Sequence, residues 1–201
     1  MIKKILLIGG SGTLGGKIKN SNIFKNISCP PKYKLNLLKK KSIQKYLNYN
    51  FDCVINCAAL ARVKACEQKP NLAKKINIEG VQNLVDELVK FNYRQNKQIK
   101  LIHMSTDGVY PSISGNYNED SFLKPYNIYG KTKLLGEKIV KKYSNYVIIR
   151  TRFFDKNNIK FDTAASDIYS SMIEVDELVK EINFILNSTF KGVINIGSKK
   201  R

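Results

Sequence analysis

Ile2-Lys3-Lys4-Ile5-Leu6-Leu7-Ile8-Gly9-Gly10-Ser11-Gly12-Thr13-Leu14-Gly15-Gly16 opens the chain. The first half is a short apolar run that stops at glycine. That is the pattern of a strand buried on both faces of a parallel sheet. Gly9, Gly12 and Gly15 follow at intervals of three. In a strand-turn-helix unit the first permits a tight turn, the second lets backbone approach a pyrophosphate, and the third lets the helix pack close to the strand. The helix that starts here points its N–H groups at the anion. A glycine-rich turn without a ligand is the plainer alternative. The position directly behind a leading strand favours the dinucleotide site, with Gly9, Ser11, Gly12, Thr13, Leu14 and Gly15 as its candidate contacts.

Further along, apolar runs and helical periods alternate. Strands are predicted over 27–29, 51–59, 99–104, 146–150 and 192–197. Helices are predicted from Thr13, over 42–49 with Ser42 as cap, over 70–91, 128–143 and 174–186. In the helix over 70–91, Leu72, Ile76, Val81, Leu84, Leu88 and Phe91 fall on one stripe, and Pro70 and Asn71 suit its start. Residues 153–171 carry no strong period. Strands alternating with helices predict an α/β fold, a Rossmann-type doubly wound parallel sheet with helices on both faces and right-handed crossovers. At 201 residues and 43% hydrophobic the chain is expected to be one domain with a full core.

The formal net charge is +19, from 35 Lys+Arg against 16 Asp+Glu. Lysines are scattered among asparagines and isoleucines, with no basic helix carrying interleaved aromatics, so no nucleic-acid partner is expected. An anionic nucleotide ligand suits such a field. No apolar run approaches a membrane span, no secretory leader is read at the N-terminus, and a cytoplasmic location is expected. Cys29, Cys53, Cys57 and Cys66 contain no C-x-x-C pair. Cys53 and Cys57 would lie about 13 Å apart at strand rise, too far for a disulfide. One histidine and dispersed cysteines leave no metal site. His103, on an apolar strand, reads as a core or edge histidine.

Tyr129-Gly130-Lys131-Thr132-Lys133 is the second informative stretch. Tyr129 and Lys133 are four apart on a predicted helix and share a face. A phenol with a pKa near 10 exchanges protons poorly at neutral pH. An adjacent ammonium stabilises the phenolate, and a drop of about 3 pH units needs roughly 4 kcal/mol.

These segments, with Asn56-Cys57-Ala58-Ala59, Asn77 and Ser105-Thr106-Asp107-Gly108-Val109-Tyr110, resemble the extended short-chain dehydrogenase/reductase superfamily. The likeness is greatest to the dTDP-4-dehydrorhamnose reductase family, and Glu174-Val175-Asp176-Glu177-Leu178 and Val193-Ile194-Asn195-Ile196-Gly197 are similar to that family's later landmarks. The resemblance implies a catalytic set of Thr106, Tyr129 and Lys133. Thr106 would hold the substrate carbonyl, Tyr129 would give its proton as hydride arrives, and Lys133 would lower the Tyr129 pKa and hold the nicotinamide ribose. It also implies cofactor contacts at Cys57, Ala58, Ala59, Asn77 and the adenine-facing Asn36 and Leu37, and a homodimer through the two long helices. Sibling 4,6-dehydratases carry an acidic pair after the threonine. Here Asp107 is followed by Gly108, which argues for simple ketone reduction.

An acid at the end of the second strand commonly holds the NAD ribose. Cys29-Pro30-Pro31-Lys32 has none, and Lys32 or Lys34 would meet a 2′-phosphate, so NADPH is expected, with NADH as the alternative. The family's substrate lobe is shortened here: about twenty residues separate Arg152 from Ile173. Residues 151–201 are expected to contribute a reduced substrate-binding part, with Thr106, Asp107, Tyr110, Arg152 and Tyr169 as candidate contacts. Asp107 would bond a neighbouring backbone, and Arg62 would approach a phosphate or stay solvated. The leading expectation is an NADPH-dependent reductase of the 4-keto group of a nucleotide-linked 6-deoxyhexose, in deoxysugar synthesis. Two rivals stand beside it. One is a non-catalytic dinucleotide-binding subunit, as in the related regulatory subunit of methionine adenosyltransferase. The other is a reductase or epimerase-reductase of another keto sugar, for which no Cys–His pair is found.

Overall fold

The computed structural model describes residues 3–113, 115–159 and 171–198. The leading apolar run forms β1 (Ile5–Ile8), and the glycine loop feeds α1 (Thr13–Asn20). β2 (Ile27–Ser28), α2 (Lys40–Leu47) and β3 (Cys53–Asn56) follow. A helical stretch comes next: α3 (Val63–Gln68), α4 (Pro70–Lys74), a π turn over Lys75–Glu79, and α5 (Gly80–Gln95). β4 (Lys100–Met104), α6 (Ile128–Val140) and β5 (Tyr146–Thr151) carry the chain to a short parallel pair, β6 (Phe153–Phe154) with β7 (Ile173–Glu174). The last elements are α7 (Val175–Asn187) and β8 (Gly192–Ile196).

Among the described residues the main sheet is six-stranded and parallel throughout, in the order β2-β1-β3-β4-β5-β8. The order reverses between β1 and β3, the topological switch where open α/β sheets hold ligands at the C-terminal strand ends. Alternation along each strand splits the core in two. Leu6, Ile8, Val54, Leu101 and Ile148 face α2, α5 and α6; Ile5, Leu7, Ile55, Ile102 and Ile149 face α1 and α7. This is the doubly wound Rossmann-type arrangement expected. Lys100, buried at the start of β4, closes the far end of α7 by donating to the carbonyls of Ile185 (2.6 Å) and Ser188 (2.8 Å).

Two elements differ from the expectation. Ser42 does not cap α2. Lys39 stands at the cap, and the Ser42 hydroxyl instead closes the 36–42 turn, accepting from the Asn36 N–H at 3.0 Å and donating to the Asn36 carbonyl at 2.8 Å. The helix over 70–91 is interrupted by the π turn. One extra residue rotates everything beyond it by about 100°. Val81, Leu84, Leu88 and Phe91 therefore stay in the core, while Leu72 is 39% exposed and joins Ile76 on another surface. Among the described residues no helix is long and apolar enough to cross a membrane. Tyr169 lies outside the described residues.

Candidate active site

The glycine loop is held by steric necessity. Gly9 has φ +91°, and a Cβ there would meet the Ala58 nitrogen at 2.5 Å; a Cβ on Gly15 would meet the Gly9 carbonyl oxygen at 2.3 Å. α1 thus starts pressed against the exit of β1. Gly12 caps it with no side-chain bond, so the first-turn N–H groups stay open to an anion. Gly15→Ala is expected to cost about 1–3 kcal/mol of stability and to weaken dinucleotide binding, read by urea unfolding and by cofactor titration.

Beside this loop is a cleft of about 680 Å³. Gly9, Ser11, Gly12, Lys32, Asn36, Leu37, Cys57, Ala58 and Ala59, all among the candidate cofactor contacts, line it. Thr13, Leu14 and Gly15 lie behind the loop in α1, and Leu14 packs into the core. Lys34 is exposed, with its ammonium 5.9 Å from the Tyr33 ring centroid. Arg62 is exposed at the start of α3. Lys19, Cys29, Leu72 and Ile76 also line the cleft and were not anticipated there. Cys29 occupies the place where an acid would hold a ribose, its sulfur packed onto Gly10, its thiol pushed up by burial.

Asn77 is not in that lining. The π turn drives it inward, where its carbonyl accepts from the Leu60 N–H at 2.8 Å and its amide donates to the Leu60 carbonyl (3.1 Å) and Thr132 Oγ1 (3.0 Å). It clamps the exit of β3 to α6.

The second half of the site forms where β4 ends. Thr106 caps a single turn of 3-10 helix over Asp107–Val109, accepting from the Gly108 N–H at 3.1 Å and donating to Asp107 Oδ1 at 3.2 Å. α6 starts directly above. Asn127 Oδ1 accepts from the Gly130 N–H at 2.7 Å, and Gly130 lies so close to Gly108 that a Cβ would meet its carbonyl oxygen at 2.3 Å. That approach brings the Tyr129 phenol beside Thr106. Burial pushes the phenol up to about 12; the Thr106 hydroxyl opposes this, while Cys66 and the Asp107 carboxylate add to it. The phenol is therefore fully protonated at neutral pH, the form a proton donor needs.

Lys133 is 2% exposed, one turn along α6, with Nζ 3.3 Å from His103 Nε2. Burial pushes it down to about 8, against the pull of Glu137 and Cys57. The expected lowering of the Tyr129 phenol by Lys133 is thus not what the structure shows: Lys133 is turned onto His103, and burial sets the phenol's direction. Cys57 joins the halves, lining the cleft and lying within electrostatic reach of Lys133.

Asp107 bonds side chains rather than the backbone expected. It forms an ion pair with Arg152 (2.9 Å), which is half-exposed at the open edge. Tyr110 is placed away from that edge. It is 4% exposed, stacked on Tyr117 at 5.0 Å, and its hydroxyl accepts from Arg150 (2.8 Å) and donates to Asn195 (2.9 Å). Behind it, Arg150 and Glu137 form a buried pair at 2.8 Å that sequence reading missed. The available signal was an arginine ending an apolar strand and a glutamate one turn beyond Lys133.

Residues 3–177 match the family described as RmlD substrate binding domain. Methionine adenosyltransferase 2 subunit beta of Bos taurus is 30% identical over 149 residues, which are 69% of this chain and 42% of that protein. The dTDP-4-dehydrorhamnose reductase of Mycolicibacterium smegmatis is 29% identical over 144 residues, 70% of this chain and 42% of that protein. The match therefore spans less than half the length of these relatives. The fold superimposes on dTDP-4-dehydrorhamnose reductase of Bacillus anthracis in complex with NADP, with a TM-score of 0.85 at 24% identity, covering 98% of this chain and 75% of that one. The matched segment runs from β1 through the glycine loop and the Tyr129–Lys133 helix into α7, and the chain belongs to the RmlD substrate binding domain family.

Proposed function

We propose that this chain is an NADPH-dependent reductase of the 4-keto group of a nucleotide-linked 6-deoxyhexose. One observation carries the reading: a protonated Tyr129 phenol beside Thr106, on the helix that also carries Lys133, joined through Cys57 to a cleft floored by the glycine loop. The cleft fits a dinucleotide, since the close approaches at Gly9 and Gly15 leave the loop backbone bare to a pyrophosphate. Ser11, Gly12, Asn36, Leu37, Ala58 and Ala59 would hold it. Lys32 and Lys19 beside the acid-free Cys29 supply positive charge for a 2′-phosphate. When bound, the nicotinamide supplies the hydride.

The protein's own residues do the rest. Thr106 fixes the carbonyl oxygen, and Tyr129 passes its proton to that oxygen as negative charge develops. Lys133 contacts the ribose hydroxyls. Asp107, held by Arg152, borders the sugar. Residues 151–201 form a reduced substrate-binding part of a single domain.

The likeness to methionine adenosyltransferase 2 subunit beta favours a second reading, a dinucleotide-binding regulatory subunit. One assay separates them: NADPH oxidation with dTDP- and UDP-linked 4-keto-6-deoxyhexoses, with NADH in parallel. Turnover preferring NADPH is expected. Tight NADPH binding without oxidation of either sugar would replace the reductase by the regulatory reading.

A further inference from the structure

His103 is fully buried, on the strand that leads into Thr106, and its two ring nitrogens have defined neighbours. Nδ1 lies 3.1 Å from Asn56 Nδ2, and Nε2 lies 3.3 Å from Lys133 Nζ. The orientation of the Asn56 amide follows from a third contact. Its Oδ1 accepts from the Ala58 N–H at 3.1 Å, and a backbone N–H cannot be reversed. Asn56 must therefore turn its NH2 toward His103. An NH2 group only donates, so Nδ1 must accept, and the single proton of a neutral imidazole must sit on Nε2. That N–H faces the Lys133 nitrogen. An ammonium has three donors and no acceptor, so a charged Lys133 would set donor against donor, whereas a neutral amine would accept.

We infer that His103 is a positioning residue. The chain Ala58 N–H to Asn56 to His103 imposes the Nε2–H tautomer, and this favours the uncharged amine of Lys133, the form that accepts, over the ammonium in the ligand-free protein. The other groups around Lys133 do not remove the conflict. Cys57, at the end of β3, is a thiol pushed up to about 12 by burial and therefore uncharged at neutral pH. Glu137, one turn further along α6, attracts a charged Lys133, but its carboxylate is occupied by Arg150 and by the Ser105 hydroxyl. Tyr129, one turn before, carries no charge at neutral pH. Burial acts in the same direction, pressing Lys133 down to about 8 and His103 well below its ordinary value. The consequence rests on the reductase reading: a ribose hydroxyl arriving at Lys133 competes with Nε2–H, so ligand binding and proton uptake by Lys133 are linked.

The test does not depend on turnover, so it stands or falls apart from the reductase assay. His103 is the only histidine in the chain, and 15N-histidine labelling gives one imidazole spectrum that needs no assignment. The expected spectrum is the Nε2–H tautomer, unchanged between about pH 5 and 9. Lysine 13Cε spectra, with Lys133→Arg to identify the resonance, are expected to show Lys133 titrating below the other lysines. Asn56→Asp replaces the donor at Nδ1 with an acceptor. It should move the proton to Nδ1, turn a lone pair toward Lys133, and raise the Lys133 midpoint by about 1 pH unit or more, tenfold in proton affinity. The new carboxylate also attracts a charged Lys133 directly, so the shift supports the proposal only with the proton seen on Nδ1 in the variant's 15N spectrum, and a variant that keeps the Nε2–H tautomer while the midpoint rises would overturn it. An Nδ1–H tautomer or an imidazolium at pH 7 in the wild type, or a Lys133 midpoint indifferent to Asn56→Asp, would overturn the proposal. If Asn56→Asp does not fold, the wild-type tautomer decides alone.

Discussion

Tyr129→Phe is expected to lower NADPH-dependent turnover by about 10²–10⁴-fold, the usual contribution of a positioned proton donor, with little change in the dinucleotide dissociation constant. The substitution removes one oxygen and keeps the ring. Thr106 keeps the Gly108 N–H and Asp107. The structural cost is therefore at most that of one hydrogen bond, about 1 kcal/mol, too little to disturb the cleft. Stopped-flow absorbance of NADPH with the keto sugar measures the first quantity, and fluorescence titration measures the second. The phenol, pushed up to about 12, stays protonated across the neutral range. A fall in rate above pH 8 would then not belong to the donor. Undiminished turnover in Tyr129→Phe would remove Tyr129 from the mechanism.

The parts of this molecule that were legible in the sequence are those governed by local pattern. Strands buried on both faces must be continuously apolar, so β1, β3, β4 and β5 stand out. Gly9 and Gly15 are required by backbone contacts too close for any Cβ, and such requirements survive as spacing. Tyr129 and Lys133 are placed together by helical geometry alone. What was not legible depends on long-range contact. Nothing local in Lys75-Ile76-Asn77-Ile78-Glu79 announces a π turn; it is stabilised by Asn77 reaching Leu60 and Thr132. β6 and β7 are two residues each and exist by pairing across a gap in sequence. Tyr110 beside the Ser105-Thr106-Asp107 segment invited a place in the substrate site. Its hydroxyl instead satisfies Arg150, whose burial no periodicity reveals.

That burial leads to the largest expected loss of stability. Arg150→Met should cost about 3–5 kcal/mol, the range for removing one member of a buried ion pair. Arg150 and Glu137 are 2% and 1% exposed. The guanidinium meets the carboxylate at 2.8 Å through Nη2 and 3.1 Å through Nε, and also donates to the Tyr110 hydroxyl and, at 3.0 Å, to the Glu119 carbonyl. Methionine fills similar space but leaves Glu137 with Ser105 as its remaining hydrogen-bond partner in this network. The loss is a large share of the roughly 5–15 kcal/mol that holds a domain folded, and urea unfolding should show it directly. It should also depend on pH. An unpaired buried carboxyl binds its proton more tightly than in the unfolded chain, so the variant's deficit should be smallest near pH 4–5 and grow as pH rises. Adding Glu137→Leu removes the orphaned charge and should recover most of the loss, because a well-packed apolar pair is often as stable as a buried ion pair. The same double variant separates folding from function. Glu137 links the Ser105 hydroxyl on one side to α6 on the other, and so sits between the two segments that present Thr106 and Lys133. Recovered stability with turnover still reduced is the expected outcome, because the pair aligns β4 with α6 as well as filling the core. Turnover restored in full along with stability would reduce the pair to a packing element.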